Sequence, residues 1–157
     1  MKILGIDPGT ADTGYGVIEV KGKECKKLDF GTIKTKPSEE MGDRLVHIHK
    51  EIQRVAQEFK PDLAVIEDLF FFRNAKSVMA VSQARGVIIC ALTQKKVKTM
   101  SYTPLQIKQT LTGYGRAEKK EVQSAVRKVL RMRKLPKPNH AADALAAAIC
   151  YVIKTKK

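Results

Sequence analysis

Lys2-Ile3-Leu4-Gly5-Ile6-Asp7-Pro8-Gly9 opens on a short apolar run, ends it on a carboxylate and stops it with Pro-Gly. Leu63-Ala64-Val65-Ile66-Glu67 repeats the design later in the chain. Both runs are too short for a core helix and lack polar alternation, so each reads as a strand buried on both faces of a sheet. Working outward, residues 14–20 alternate, and Lys21-Gly22-Lys23 makes a hairpin turn into a third strand at about residues 26–35. Pro37-Ser38-Glu39-Glu40 predicts a helix start with Ser38 as N-cap, and Leu45, Ile48, Ile52, Val55, Ala56 and Phe59 continue it at helical spacing until Lys60-Pro61. Residues 74–96 form a long helical pattern that is apolar on more than one side, and residues 97–102 a fifth strand. Thr103-Pro104 opens a short helix, residues 112–116 a Gly-containing loop, and two more helices fall at about 118–130 and 139–153. The order predicts an α/β fold: a five-stranded mixed sheet flanked by helices on both faces.

At 157 residues, 43% apolar and 29% charged, the chain has the size and composition of a single domain over residues 1–157 with its own core. No run reaches the roughly 18 consecutive apolar residues of a membrane span, and the start lacks the pattern of a signal peptide. Cys25, Cys90 and Cys150 are odd in number and form no C-x-x-C pair, which argues for a reducing compartment and small apolar roles. A cytoplasmic location is the expectation. His47 and His49 are two apart and face away from each other on a helix, so they make a poor ligand pair.

Charge divides the chain unevenly. Residues 1–69 carry 11 Lys+Arg against 13 Asp+Glu, whereas residues 70–157 carry 19 against only Glu118, Glu121 and Asp143. A net +16 in one half points to a polyanion, and nucleic acid fits better than a membrane surface because no segment has an interfacial anchor's one-sided apolar face. Asp143 is the sole carboxylate of the last 36 residues, within Asn139-His140-Ala141-Ala142-Asp143-Ala144, and His140 shares its helix face. Asp7 and Glu67 end strands, where neighbouring strand ends can bring side chains together. Carboxylates brought together repel unless a cation lies between them. Mg²⁺ takes hard oxygen ligands, and two such ions roughly 4 Å apart can serve phosphodiester cleavage. Taken singly, a turn aspartate, a strand-end surface charge and a helix-dipole partner remain open for the three.

Four segments carry a specific resemblance. Ile6-Asp7-Pro8-Gly9-Thr10 with Thr13-Gly14-Tyr15-Gly16, Val65-Ile66-Glu67-Asp68-Leu69-Phe70, Gln83-Ala84-Arg85-Gly86 and His140-Ala141-Ala142-Asp143-Ala144-Leu145-Ala146 stand in an order and spacing that resembles the RuvC family of bacterial Holliday-junction resolvases. The resemblance implies an RNase H-like fold and a homodimer that nicks two opposed strands of a four-way DNA junction, using Mg²⁺ or Mn²⁺. It implies Asp7, Glu67, His140 and Asp143 as the catalytic and metal-binding set. Members of the family carry Asp or His where His140 stands, which leaves His140 open as ligand or base. The helix at about 74–96 would form the dimer contact; Gly86 in its middle fits close backbone approach, although a central core helix is the alternative. The branch-migration proteins RuvA and RuvB follow as implied partners.

The same resemblance assigns DNA contacts. Phe70-Phe71-Phe72-Arg73 follows the Glu67 strand; core packing is open to these rings, but successive residues cannot all face inward, and Phe70 matches the aromatic that the family uses near the crossover, with Phe71 or Phe72 as the alternative. Such a ring can stack on a base for roughly 1–3 kcal/mol. Arg73, Lys76, Arg85, Lys108, Arg116, Lys119 and Lys120 fall in blocks that the family uses for junction arms, Lys108 and Lys119 most closely. Two other functions share parts of this pattern. Asp7-Pro8-Gly9-Thr10 also resembles the phosphate-binding hairpin of actin- and sugar-kinase-like ATPases, but those need two such domains and a second Gly-rich loop. A binding module without catalysis, or an RNase H-like nuclease acting on RNA, leaves the full carboxylate set or the last two motifs unexplained.

Overall fold

In the computed structural model, which describes residues 1–69 and 75–156, side-chain alternation sorts one sheet into two faces. Strands β1 (Lys2–Asp7), β2 (Asp12–Lys21), β3 (Glu24–Lys34), β4 (Leu63–Glu67) and β5 (Lys98–Tyr102) lie in the order β3-β2-β1-β4-β5. The β1–β2 and β2–β3 pairs are antiparallel, and the β1–β4 and β4–β5 pairs are parallel, so the sheet is mixed. Helices α1 (Met41–Phe59) and α2 (Ala75–Gln94) cover one face; α3 (Pro104–Thr112), α4 (Lys119–Val129) and α5 (Asn139–Thr155) cover the other.

Period two decides which residue serves which core. Leu4, Ile6, Tyr15, Val17, Ala64 and Ile66 pack with Ile48, Ile52 and Val55 of α1 and with Ala84, Ile88 and Leu92 of α2. Ile3, Ile18 and Val65, of the opposite parity, pack beneath Leu145, Ile149 and Cys150 of α5. Asp7 shares parity with Ile3, and Glu67 with Val65. Both carboxylates therefore belong to the face under α5.

Two local expectations give way. Residues 37–40 form a turn in which Glu39 N–H bonds the Lys36 carbonyl and Lys36 N–H bonds the Glu39 carboxylate. The helix starts at Met41 with Glu40 as N-cap, and Ser38 caps nothing because Glu39 closes the turn first. Cys90 is exposed, on the outward side of α2 with Met79 and Gly86, while Cys150 is buried as expected. Elsewhere the signals act as read: Thr103 and Gln106 form a reciprocal capping box on α3, with Pro104 in its first turn. Among the described residues α2 has the length and a mean hydropathy, 1.3, sufficient to cross a membrane by composition. Its buried side packs into the same core as β1, β4 and α1.

Candidate metal-binding and nucleic-acid site

Parallel pairing of β1 with β4 sets Ile6 opposite Ile66, so Asp7 and Glu67 come next, side by side at the carboxyl ends of adjacent strands. Neighbouring strands run about 4.8 Å apart, which puts two carboxylates within reach of each other. The third arrives from α5, which lies on the sheet at backbone distance. A Cβ on Gly5 would stand 1.8 Å from the Ala144 carbonyl oxygen, and one on Gly14 1.9 Å from that of His140. Gly14 pairs with Asp7 across the β1–β2 ladder. The first turn of α5 is thereby lowered onto Asp7, and His140 Nδ1 lies 2.8 Å from Asp7 Oδ2.

Asp7, His140 and Asp143 offer ligand atoms within 4.8 Å of one another. Burial, the charge of Asp7, a hydrogen bond with Asp7 and the charge of Asp143 push Glu67 well above the usual carboxylate range, and Lys108 draws it back. Burial and Asp7 likewise raise Asp143, opposed by Lys119, His140 and Lys108. For His140 the hydrogen bond to Asp7 raises the imidazole, burial lowers it, and the charges of Asp7, Asp12 and Asp143 raise it further. Burial and mutual repulsion raise these carboxylates more than Lys108, Lys119 and His140 lower them, and the remaining negative charge is what a divalent cation would neutralise. Carboxylate oxygens and an imidazole nitrogen are both ordinary ligands of divalent metal ions. The donor set fits a metal.

These groups line a cleft of about 510 Å³, whose walls include Pro8, Gly9, Thr10, Asp12, Lys108 and Lys119. Lys108 is half-buried and Lys119 exposed, and both stand close enough to Asp143 to act on its charge. Lys76, Arg116 and Lys120 are exposed and lie outside the cleft lining. Arg85 points elsewhere: its Nη2 donates to Ser101 Oγ at 2.7 Å and lies 3.5 Å from Asp68 Oδ1, so it is engaged inside the protomer. Phe70, Phe71, Phe72 and Arg73 fall outside the described residues. Sequence reasoning missed Gly5 as part of the seat for α5, and Asp12 on the cleft wall. Gly5 shares the parity of Asp7, and Gly14 and Gly16 pair with Asp7 and Gly5 across the β1–β2 ladder, so all three face α5, where only a missing Cβ lets the helix come so close.

Comparison with known proteins agrees with this geometry. The family model described as "Crossover junction endodeoxyribonuclease RuvC" matches residues 3–151. Crossover junction endodeoxyribonuclease RuvC of Syntrophomonas wolfei is 49% identical over 152 residues, covering 97% of this chain and 88% of the relative. That of Caldicellulosiruptor saccharolyticus is 45% identical over 156 residues, covering 99% and 94%. Thermus thermophilus RuvC, solved in complex with Holliday junction substrate, superposes with a TM-score of 0.95 at 36% identity over 99% of this chain and 95% of that one. Its fold is RNase H-like, and the mixed sheet and helices described above follow it. With a family model matched from near one end to the other and relatives close to half identical, this chain belongs to the RuvC family.

Proposed function

We propose that the chain, acting as one domain over residues 1–157, is a crossover junction endodeoxyribonuclease. It resolves four-way DNA junctions by paired symmetrical nicks that leave 3′-hydroxyl and 5′-phosphate ends, in recombination and repair. The observation that carries the reading is the convergence of Asp7, Glu67, His140 and Asp143 at one end of the sheet, with Lys108 and Lys119 beside them.

Asp7, Glu67 and Asp143 would hold Mg²⁺, two ions per site, with Mn²⁺ as a substitute, and His140 is either a further ligand or the base. When bound there, such ions neutralise charge on phosphate oxygens and make a coordinated water more acidic. The protein's own groups do the rest. Asp7 engages His140 Nδ1, which fixes the ring and leaves Nε2 to orient or accept a proton from the attacking water. Asp143, one helical turn from His140, would complete the ligand set with Glu67. Lys108 and Lys119 would hold the phosphate for in-line attack, and their contacts would make binding fall with salt at a log slope of about −0.9 per neutralised phosphate. Phosphate contacts read no sequence, so junction shape would set selectivity.

A homodimer through α2 would place two sites at fixed separation for the paired cuts. Its support is the outward row of Met79, Gln83, Gly86 and Cys90, exposed in the protomer, with Gly86 free of any neighbour within 4 Å of a built Cβ. RuvA and RuvB would deliver the junction, and the setting would be the cytoplasm. Phe70, or Phe71 or Phe72 in its place, would stack near the crossover, with Arg73, Lys76, Arg116 and Lys120 along the arms. The test incubates pure protein and its Asp7→Asn variant with a mobile four-way junction and Mg²⁺, beside plain duplex. Paired nicks on the junction alone, slowed by orders of magnitude in Asp7→Asn while junction affinity holds, support the function. Equal nicking by the variant, or of duplex, rejects it.

A further inference from the structure

Helix α2 is tied to both carboxylate-bearing strand ends by hydrogen bonds that take no part in the chemistry proposed above. On the β1 side, Thr10 Oγ1 donates to the Ala80 carbonyl of α2 across 2.8 Å, and Thr10 is only 7% exposed. The Thr10 carbonyl accepts from Thr35 Oγ1 at 2.6 Å, and Thr35 Oγ1 accepts from Arg44 Nε at 2.8 Å. Thr13 Oγ1 donates to the Gly9 carbonyl at 2.6 Å, and Thr35 N–H to that of Ala11 at 2.9 Å. The turn that follows Asp7 is thus pinned along its length, with α2 as one anchor.

On the β4 side, Arg85 of α2 bonds Ser101 Oγ at the end of β5 and pairs with Asp68, the residue after Glu67. Asp68 N–H donates to the Tyr102 carbonyl at 2.8 Å, and Asp68 Oδ1 accepts from Leu69 N–H at 3.0 Å. Arg85 Nε is buried with no partner among the described residues. A guanidinium turned inward with one donor unmatched is a costly way to hold a helix by stability alone, where apolar packing would serve. Its two engaged partners both lie where β4 and β5 end.

We infer that Thr10 and Arg85 are positioning residues through which α2 sets Asp7 and Glu67; Arg85 is not a DNA contact. The inference rests on the endonuclease function and dimer proposed above. Because the outward row of α2 is the surface proposed for the twofold contact, a shift of α2 there moves both metal-binding carboxylates of the same protomer. Assembly and metal placement are thereby linked.

The experiment compares full-length Thr10→Val, Thr10→Ser, Arg85→Gln and Ser101→Ala with wild type by three readouts. These are Mn²⁺ affinity by electron paramagnetic resonance, single-turnover nicking of a four-way junction, and the salt dependence of junction binding without divalent metal. Thr10→Val, Arg85→Gln and Ser101→Ala are expected to weaken Mn²⁺ binding and slow nicking by about 10–100-fold each. Their log-salt slope stays that of wild type, and Thr10→Ser, which keeps the hydroxyl, recovers most of both losses. Wild-type Mn²⁺ affinity in Thr10→Val, or no recovery in Thr10→Ser, overturns the role of Thr10. For Arg85→Gln, a slope smaller by about 0.9 with unchanged Mn²⁺ affinity makes Arg85 a phosphate contact and overturns its role. Should the wild type nick no junction while the Mn²⁺ affinities shift as stated, the endonuclease function fails and the positioning stands.

Discussion

Gly14→Ala tests whether the seat of α5 builds the site. The added Cβ would lie 1.9 Å from the His140 carbonyl oxygen, 2.3 Å from its carbon and 2.9 Å from Ala141 N, whereas relaxed contacts shorter than 3.0 Å essentially never occur. All three atoms are backbone, so no side chain can swing aside; β2 and the first turn of α5 must part by about 1 Å. Overpacking of this kind costs about 1–3 kcal/mol, which for a chain of this size lowers Tm by about 2–12 °C. The larger effect falls on the chemistry, because the displaced turn carries His140 and Asp143. A misplacement of about 1 Å costs on the order of 10²-fold in rate. Junction affinity should hold, since Lys108 and Lys119 ride on α3 and α4. The assay pairs thermal melting with single-turnover nicking of a labelled junction, and Gly42→Ala serves as control, because a Cβ at Gly42 meets nothing within 4 Å. If Gly14→Ala melts and cuts like Gly42→Ala, the close seat is not what assembles the site.

Glu67, Asp143 and His140 are all raised, so the folded metal-free protein binds more protons than the unfolded chain between the ordinary values, about 4 for a carboxylate and 6.5 for imidazole, and the raised ones. Linkage then makes its stability fall as pH climbs through that interval. The metal-free Tm should drop as pH climbs above the ordinary carboxylate range, more in wild type than in Glu67→Gln, with Mg²⁺ restoring more at the alkaline end; parallel melting curves for the two proteins would contradict this. Gly86→Arg places a charged side chain in the outward row of α2 and should convert a dimer to a monomer in light scattering while leaving the protomer folded; an unchanged mass would remove α2 from the contact.

Much of this was legible in the chain because the decisive signals were local. β4 is bounded as the sequence indicates, since an apolar run between Pro61 and a terminal carboxylate has few other uses. The places of Asp7 and Glu67 at the ends of two buried strands likewise marked them as carboxylates that neighbouring strand ends can bring together. What stayed hidden depends on which of several competing contacts forms, in most cases with residues far away in sequence. Ser38 looks like an N-cap until Glu39 closes a turn on Lys36, and Arg85 looks like a free cation until Ser101 and Asp68 are brought against it. Gly5 is silent in the sequence because its meaning lies in the Ala144 carbonyl that it admits. Charge asymmetry identified a polyanion partner but could not separate Lys108 and Lys119, on the cleft wall, from Lys76, Arg116 and Lys120 outside it.

The central claim is that Asp7, Glu67 and Asp143 form one cation site. Crystals of the wild-type protein grown with Mn²⁺ and measured at an energy where manganese scatters anomalously address it without reference to activity. The expected result is anomalous density among the carboxylates of Asp7, Glu67 and Asp143, beside the His140 ring, that vanishes in Asp7→Asn. Strong manganese peaks confined to other parts of the surface, with those carboxylates bare, would contradict the account.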